Sequence, residues 1–342
     1  MIQKIPVEKA VGLPLAHDIT RILPGKFKGV GFRRGHVVRP SDIPGLLDLG
    51  KKQVYVLKLK PGELHEDDAA RRIARAVAGK NLILRGPQEG KINFMAKTRG
   101  LLKVYPAVLR KINAVGGLIL STRHSHSCVF PGDVVGGTRA IPLILPERKV
   151  KRIEAICRRH GPVIEILPFK AKKVGIIVTG SEIYEKRIKD HSASILKKKL
   201  KAFGSRGTRN IIVPDDPLRI AEEIRRMKKA GNDIVIVTGG LSVDPDDRSL
   251  EGIRRSGAKV AFYGVPILPG SMSAYAQLGR TVILGAPACM VHEPITALDL
   301  FLPRVLAGDP IQRKEVDAMG HGGLCLKCRP CHFPRCPFGK GT

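Results

Sequence analysis

The chain contains no tryptophan, and its aromatic residues amount to only 4%. Without aromatics interleaved among basic residues, there is little with which to stack on exposed nucleotide bases. Acidic residues are scarce too: 30 Asp and Glu stand against 60 Lys and Arg, a formal charge of +30. Such a surplus suits an anionic partner. Because the basic residues are spread along much of the chain, a small polyanion fits better than a nucleic acid read by sequence. No uncharged apolar run reaches the ~18 residues that a membrane span requires. The opening MIQKIPVEKAVGLPLAHDI carries charges inside its apolar stretches, unlike a secretory signal. These absences lead us to expect a cytoplasmic protein with no membrane partner. Cysteine is sparse until the end. Cys128, Cys157 and Cys289 are scattered, and the other four crowd the last 18 residues. That distribution argues against a secreted disulfide framework and for a local metal or redox tail.

What remains is enough to fold. Hydrophobic residues make up 43% of 342 positions, sufficient for two or three domains with their own cores. We expect an N-terminal segment at 1–60, a small mixed or β-rich accessory region at 61–165, an α/β domain at 170–310 and a Cys-rich tail at 320–342. In the accessory region, HEDDAARRIARAVAG (65–79) reads as a helix, with acids in its first turn and an apolar stripe at Ala70, Ile73, Ala74 and Val77. From residue 172 the pattern becomes regular. KVGIIVTG, NIIVPDD, DIVIVTGG, KVAFYGV and TVILG read as strands, and SASILKKKLKAFG, LRIAEEIRRMKKAG, DRSLEGIRRSG and HEPITALDLFLPRVLAG as helices. The apolar runs are continuous rather than alternating, as buried parallel strands require. The expected fold class is therefore α/β, a three-layer, mostly parallel sheet, preceded by a mixed α+β region.

In such a fold, ligands bind beyond the carboxyl ends of the strands. The loops there share a composition: Thr179-Gly180-Ser181-Glu182, Pro214-Asp215-Asp216, Thr238-Gly239-Gly240-Leu241-Ser242 and Leu268-Pro269-Gly270-Ser271. Their glycines let backbone N–H groups turn toward an anion, and the hydroxyls add donors. Glu182, Asp216 and Asp247 fall on ligand-side loops, where carboxylates can hold Mg²⁺ against a phosphate or grip the ring nitrogens of a heterocycle. Asp215, Asp216 and Asp247 can equally cap the helices that follow them. In the N-terminal half, His65-Glu66-Asp67-Asp68 and the His124-Ser125-His126 run with Cys128 are polar loops or metal sites.

GIIVTGSEI, DHSASILKKKLKAFG, PDDPLRI, DIVIVTGGLSVDPDD, LPGS and VILGAPACM, in that order, resemble the molybdopterin-binding domain shared by molybdopterin adenylyltransferases and molybdopterin molybdotransferases. The opening VEKAVGLPLAHDI is faintly similar to molybdotransferase flanking segments. The resemblance implies a pterin and its terminal phosphate bound by Thr179, Gly180, Ser181, Asp215, Thr238, Gly239, Gly240, Ser242, Pro269, Gly270 and Ser271. Glu182, Asp216 and Asp247 would serve as catalytic acids with Mg²⁺. The departures are specific. Both lysines of the molybdotransferase Lys-Pro-Gly-Lys-Pro loop are missing from Leu268-Pro269-Gly270-Ser271-Met272, and Asp244 stands where that family has Gly. Two readings follow: an enzyme of molybdenum cofactor biosynthesis transferring molybdate or a nucleotidyl group at the pterin, or a non-catalytic cofactor carrier, chaperone or sensor. Either would form a homo-oligomer, and the carrier would serve a client molybdoenzyme. A DNA-contacting regulator is a third reading, disfavoured by the lack of a DNA-reading helix.

In the tail, Cys325, Cys328, Cys331 and Cys336 follow the spacing C-x2-C-x2-C-x4-C, with Pro337 after the last. Four thiolates so spaced are ligands for a [4Fe–4S] cluster or for Zn²⁺.

Overall fold

A computed structural model describes residues 2–23, 27–57, 59–242, 244 and 247–340. Its largest sheet has six strands, in the order Arg206–Val213, Lys173–Thr179, Ile234–Thr238, Thr281–Ala286, Ala274–Leu278 and Lys259–Tyr263. Side chains alternate across it. Val174, Ile176 and Val178 face the helices Ser192–Ala202 and Ala297–Ala307 through Leu196, Leu200, Phe301 and Leu302. Ile177, Val235 and Val237 face Pro217–Lys229 and Ser249–Arg255 through Ile220, Ile224, Met227 and Ile253. Two apolar layers thus sandwich the sheet.

The fold is α/β, but the expectation of a mostly parallel sheet architecture is overturned. Among the described residues, the first four strands of the large sheet give the only three parallel pairings between named strands. All others are antiparallel, including the last two in this same sheet. The reason is a strand that the apolar-run reading passed over. Ala274–Leu278 (AYAQL) is short and partly polar, and its register pairs Leu278 with Thr281. Only Gly279 and Arg280 separate it from Thr281–Ala286, with Gly279 at φ +63°. A two-residue connection closes an antiparallel hairpin, whereas a parallel crossover needs a dozen residues or more.

The accessory region is wholly antiparallel between its named strands. Leu82–Gln88, Lys91–Ala96, Val134–Ala140 and Leu118–Thr122 form one sheet. The helix Glu66–Val77 covers it, burying Ala69, Ala70, Ile73, Ala74 and Val77. Near the start, Ile2–Pro6 pairs with Gln53–Leu57 over a small core of Val7, Leu15, Leu46, Val54 and Val56. No helix among the described residues is long and apolar enough to cross a membrane.

The accessory region meets the large sheet's unit through buried charge. Arg304, 0% exposed, donates from Nε to Asp309 Oδ2 at 2.7 Å and from Nη2 to Glu315 Oε2 at 2.7 Å. Lys103 from the strand Gly100–Val104 donates to Asp309 Oδ1 at 2.8 Å. His126 Nε2 lies 3.4 Å from Asp309 Oδ2.

Candidate functional site

The four parallel strands end on one edge, at Thr179, Val213, Thr238 and Ala286. The antiparallel Ala274–Leu278 begins on that edge, since Ala274 pairs with Gly285. The loop before it, 268–273, is therefore carried to the same rim as the strand-end loops. Together they enclose a cavity of 820 Å³. Thr179, Gly180, Glu182, Asp215, Thr238, Gly239, Gly240, Ser242, Asp247, Pro269, Gly270 and Ser271 all line it. Asp216 and Ser181 do not. Asp216 is the N-cap of Pro217–Lys229, accepting from Leu218 N–H at 2.8 Å. Ser181 turns its N–H to Asp215 Oδ2 at 3.0 Å. Asp246 lies outside the described residues.

The Gly-Gly turn is forced by crowding. Gly239 sits at φ +92°, and a Cβ there would come to 2.2 Å from Thr179 O. Gly240 sits at φ +54°, and a Cβ would lie 2.8 Å from both Asp215 Oδ1 and Ser249 Oγ. Only glycine allows the neighbouring strand ends to close so tightly. The turn is braced from outside. Tyr263 Oη donates to Leu241 O at 2.7 Å, and Ser242 N–H donates to Asp247 Oδ2 at 2.5 Å. Thr179 Oγ1 pairs with Ser249 Oγ at 3.0 Å. Tyr263 and Ser249 were not legible as site residues: one belongs to an edge strand, the other opens a helix, and neither carries a motif.

Two buried polar atoms in the wall, Asp215 Oδ1 and Thr238 Oγ1, have no hydrogen-bond partner. Buried polar groups are nearly always paired, so each calls for an explanation, and a polar ligand is one. Burial raises the Asp215 carboxyl above the usual range, against hydrogen bonding from Ser181 and Thr179, and the nearby charges of Glu182 and Asp247 push the same way. A cation or a hydrogen-bond donor entering this corner would relieve that repulsion. Cys289 also lines the cavity, its thiol pushed up by burial and by Glu293.

Among the described residues, the only trio of His, Cys, Asp or Glu ligand atoms within 4.8 Å of one another is His65, Glu66 and Asp67. Two of the three, His65 and Asp67, are already engaged. His65 Nε2 lies 3.1 Å from Ala16 O and Nδ1 accepts from Asp67 N–H at 3.2 Å. Asp67 pairs with Arg34 and accepts from Gly90 N–H. The cluster reads as a helix start locked to its neighbours. His124, His126 and Cys128 form no such trio, and neither do the tail cysteines.

Residues 175–307 match a family described as a probable molybdopterin binding domain, and residues 4–58 match a domain of unknown function. A protein of Archaeoglobus fulgidus is 42% identical over 81 residues, covering 24% of this chain and 35% of its own. A CinA-like protein of Mycobacterium leprae is 34% identical over 83 residues, covering 24% of this chain and 19% of its own. The chain thus spans about a third or less of the length of these curated relatives. Among solved structures, the molybdopterin biosynthesis enzyme MoaB from Thermus thermophilus aligns with TM-score 0.34 and 22% identity, over 41% of this chain and 98% of that one. A molybdenum cofactor biosynthesis protein from Pyrococcus furiosus aligns with TM-score 0.28 and 15% identity, over 90% of this chain and 64% of that one. The family match supports the molybdopterin-binding superfamily fold for residues 175–307.

Proposed function

We propose that the chain binds a molybdopterin-type pterin phosphate in the 820 Å³ strand-end cavity and acts in molybdenum cofactor biosynthesis as a carrier, chaperone or sensor. The observation that carries this reading is the convergence of four glycine- and hydroxyl-bearing loops on one cavity whose wall holds two unpartnered polar atoms. The Gly239-Gly240 turn and Ser242 face the terminal phosphate, and Asp215 and Thr238 meet polar groups of the pterin. The basic surplus draws the anion in, and the neutral loop Leu268-Pro269-Gly270-Ser271 frames the rim. Mg²⁺ fits the acids in one way only. Glu182, Asp215, Asp244 and Asp247 share the cavity, yet no three of them bring ligand oxygens within 4.8 Å of one another. That suits an ion held by one or two carboxylates and a substrate phosphate, with water filling the rest. Bound there, Mg²⁺ would offset phosphate charge. Division of the chain at 1–60, 61–165, 170–310 and 320–342, homo-oligomer formation and delivery to a client molybdoenzyme belong to the same proposal. Separate cores near the start, in the accessory region and on the large sheet support the first three segments, whereas the tail shares the large sheet's core through Phe338.

A transferase is the second reading, favoured by the four acids in the cavity, Glu182, Asp215, Asp244 and Asp247. Against it, Asp247 Oδ2 is already held by Ser242 N–H and Asp216 caps a helix. The two readings separate on product analysis. Purified protein is incubated with molybdopterin, Mg²⁺ and either ATP or adenylylated molybdopterin plus molybdate. The carrier reading predicts retained pterin and no new product. Turnover in either mixture would replace it with the transferase.

A further inference from the structure

After the helix Arg313–Ala318, the described tail forms no further helix or strand, only an isolated bridge between Leu324 and Leu268. Both ends of it are nonetheless pinned. Leu268 N–H donates to Gly323 O and Cys325 N–H to Leu268 O, each at 2.8 Å, and Gly339 N–H donates to Gly322 O at 2.9 Å. Phe338 is buried against the core shared with Phe301, and Cys325 and Cys336 pack against the same core. The stretch between them wraps a second cavity, of 870 Å³. All four tail cysteines line it, with His292, His332 and a mostly apolar remainder that includes Leu324, Ile295 and Phe333.

Cys325 and Cys336 are fixed by the core, but Cys328 and Cys331 are exposed in a segment with almost no regular structure. A bound metal centre ties the second pair to the first, because ligation needs the thiolates placed together. The sequence favours a cluster, since two successive C-x2-C steps and a final Cys336-Pro337 approach the C-x2-C-x2-C-x3-C-P run of [4Fe–4S] ligands. One tetrahedral Zn²⁺ with bonds near 2.3 Å holds its sulfurs roughly 4 Å apart. No three of these thiols lie within 4.8 Å of one another. A [4Fe–4S] cluster ties each thiolate to a different iron and so holds its ligands farther apart. Arg329 lines the pocket and offsets part of the negative charge that four thiolates bring, while Lys327 is paired with Glu293 on the same wall.

We propose that this pocket is a [4Fe–4S] site ligated by Cys325, Cys328, Cys331 and Cys336. Each thiol loses its proton on ligation, and the cluster arrives preformed in its oxidised state or is assembled from two ferrous and two ferric ions with four sulfides, so that no electron is left over. The proposal stands independently of what binds in the strand-end cavity.

The test is iron and acid-labile sulfide analysis of full-length protein purified without oxygen and reconstituted with an equal mixture of ferrous and ferric iron plus sulfide, with visible absorption read before and after dithionite. About four irons and four sulfides per chain are expected, with a broad visible band that bleaches on reduction. Cys328 and Cys331 are exposed, so Cys328→Ser and Cys331→Ser should keep the fold, verified by circular dichroism, and lose most of the iron. Cys157→Ala, which changes a buried thiol in the accessory core, should keep it. Zinc without sulfide, no bound metal, or full iron retention in both serine variants would overturn the proposal.

Discussion

At the scale of single residues, the strand-end cavity trades stability for binding. Thr238 Oγ1 is buried and unpartnered. Replacing its hydroxyl with a methyl of similar shape removes a desolvation penalty of about 1–3 kcal/mol. Thr238→Val should therefore raise unfolding stability by about 1 kcal/mol in the ligand-free protein while weakening pterin binding. Denaturant unfolding and a binding titration on the same preparation check both halves, and a destabilised variant would contradict the account. The glycines here were legible as a turn from TGG alone. What the letters could not give is the contact that makes them irreplaceable, a carbonyl 2.2 Å from where the Gly239 Cβ would sit. That contact joins positions 60 apart in the chain.

At the scale of elements, helices with clear apolar stripes were readable, because their periodicity is local. Glu66–Val77 buries the whole stripe read at Ala70, Ile73, Ala74 and Val77. The final helix was read as starting at residue 292 but begins at Ala297, where Thr296 and Asp299 form a capping box. Strand direction was not readable. Ala274–Leu278 carries neither a continuous apolar run nor a recognised turn, yet it runs against the other five strands and makes the last two pairings of the large sheet antiparallel. Asp216 shows the same ambiguity at a helix start, since a cap and a catalytic acid look alike in sequence. As the cap of Pro217–Lys229, it supplies about 1 kcal/mol. We expect Asp216→Ala to lower stability by that amount and leave pterin affinity within twofold. A large loss of affinity with unchanged stability would assign Asp216 to the ligand instead.

At the scale of the whole molecule, the buried charges at Arg304 and Asp309 join the accessory region to the large sheet's unit, and they make the junction sensitive to acid. Burial opposes ionisation of Asp309, but hydrogen bonds from His126 and Lys103 and the field of Arg304 outweigh it and hold the carboxyl well below the usual range. Its contribution is present above the unfolded value near 4 and is lost as pH falls through the folded value. Burial also holds His126 low, against the pull of Asp309. Its share is present above about pH 6.5 and declines below that. Stability should thus fall in two stages, gently from about pH 6.5 and more steeply below about pH 4. Chemical denaturation across that range checks it, and His126→Gln should shrink the first stage to the share of His65, which burial also holds low. The tail reaches the other cavity as well, because its backbone bonds bracket Leu268, one residue before Pro269 and Gly270 on the cavity rim. This long-range placement could not be read from spacing, which predicted ligands but not where they dock.

The central claim is that the strand-end cavity takes a molybdopterin-type phosphate. Its most direct test is an equilibrium titration of the purified full chain with molybdopterin under anaerobic conditions, at low and high salt. The account predicts saturable binding at one site per chain, weaker at high salt. Gly240→Ala should lose at least about tenfold in affinity, because a Cβ at φ +54° collides with Asp215 and Ser249. No saturable binding at low salt, or binding unaffected by Gly240→Ala in a folded variant, would contradict it.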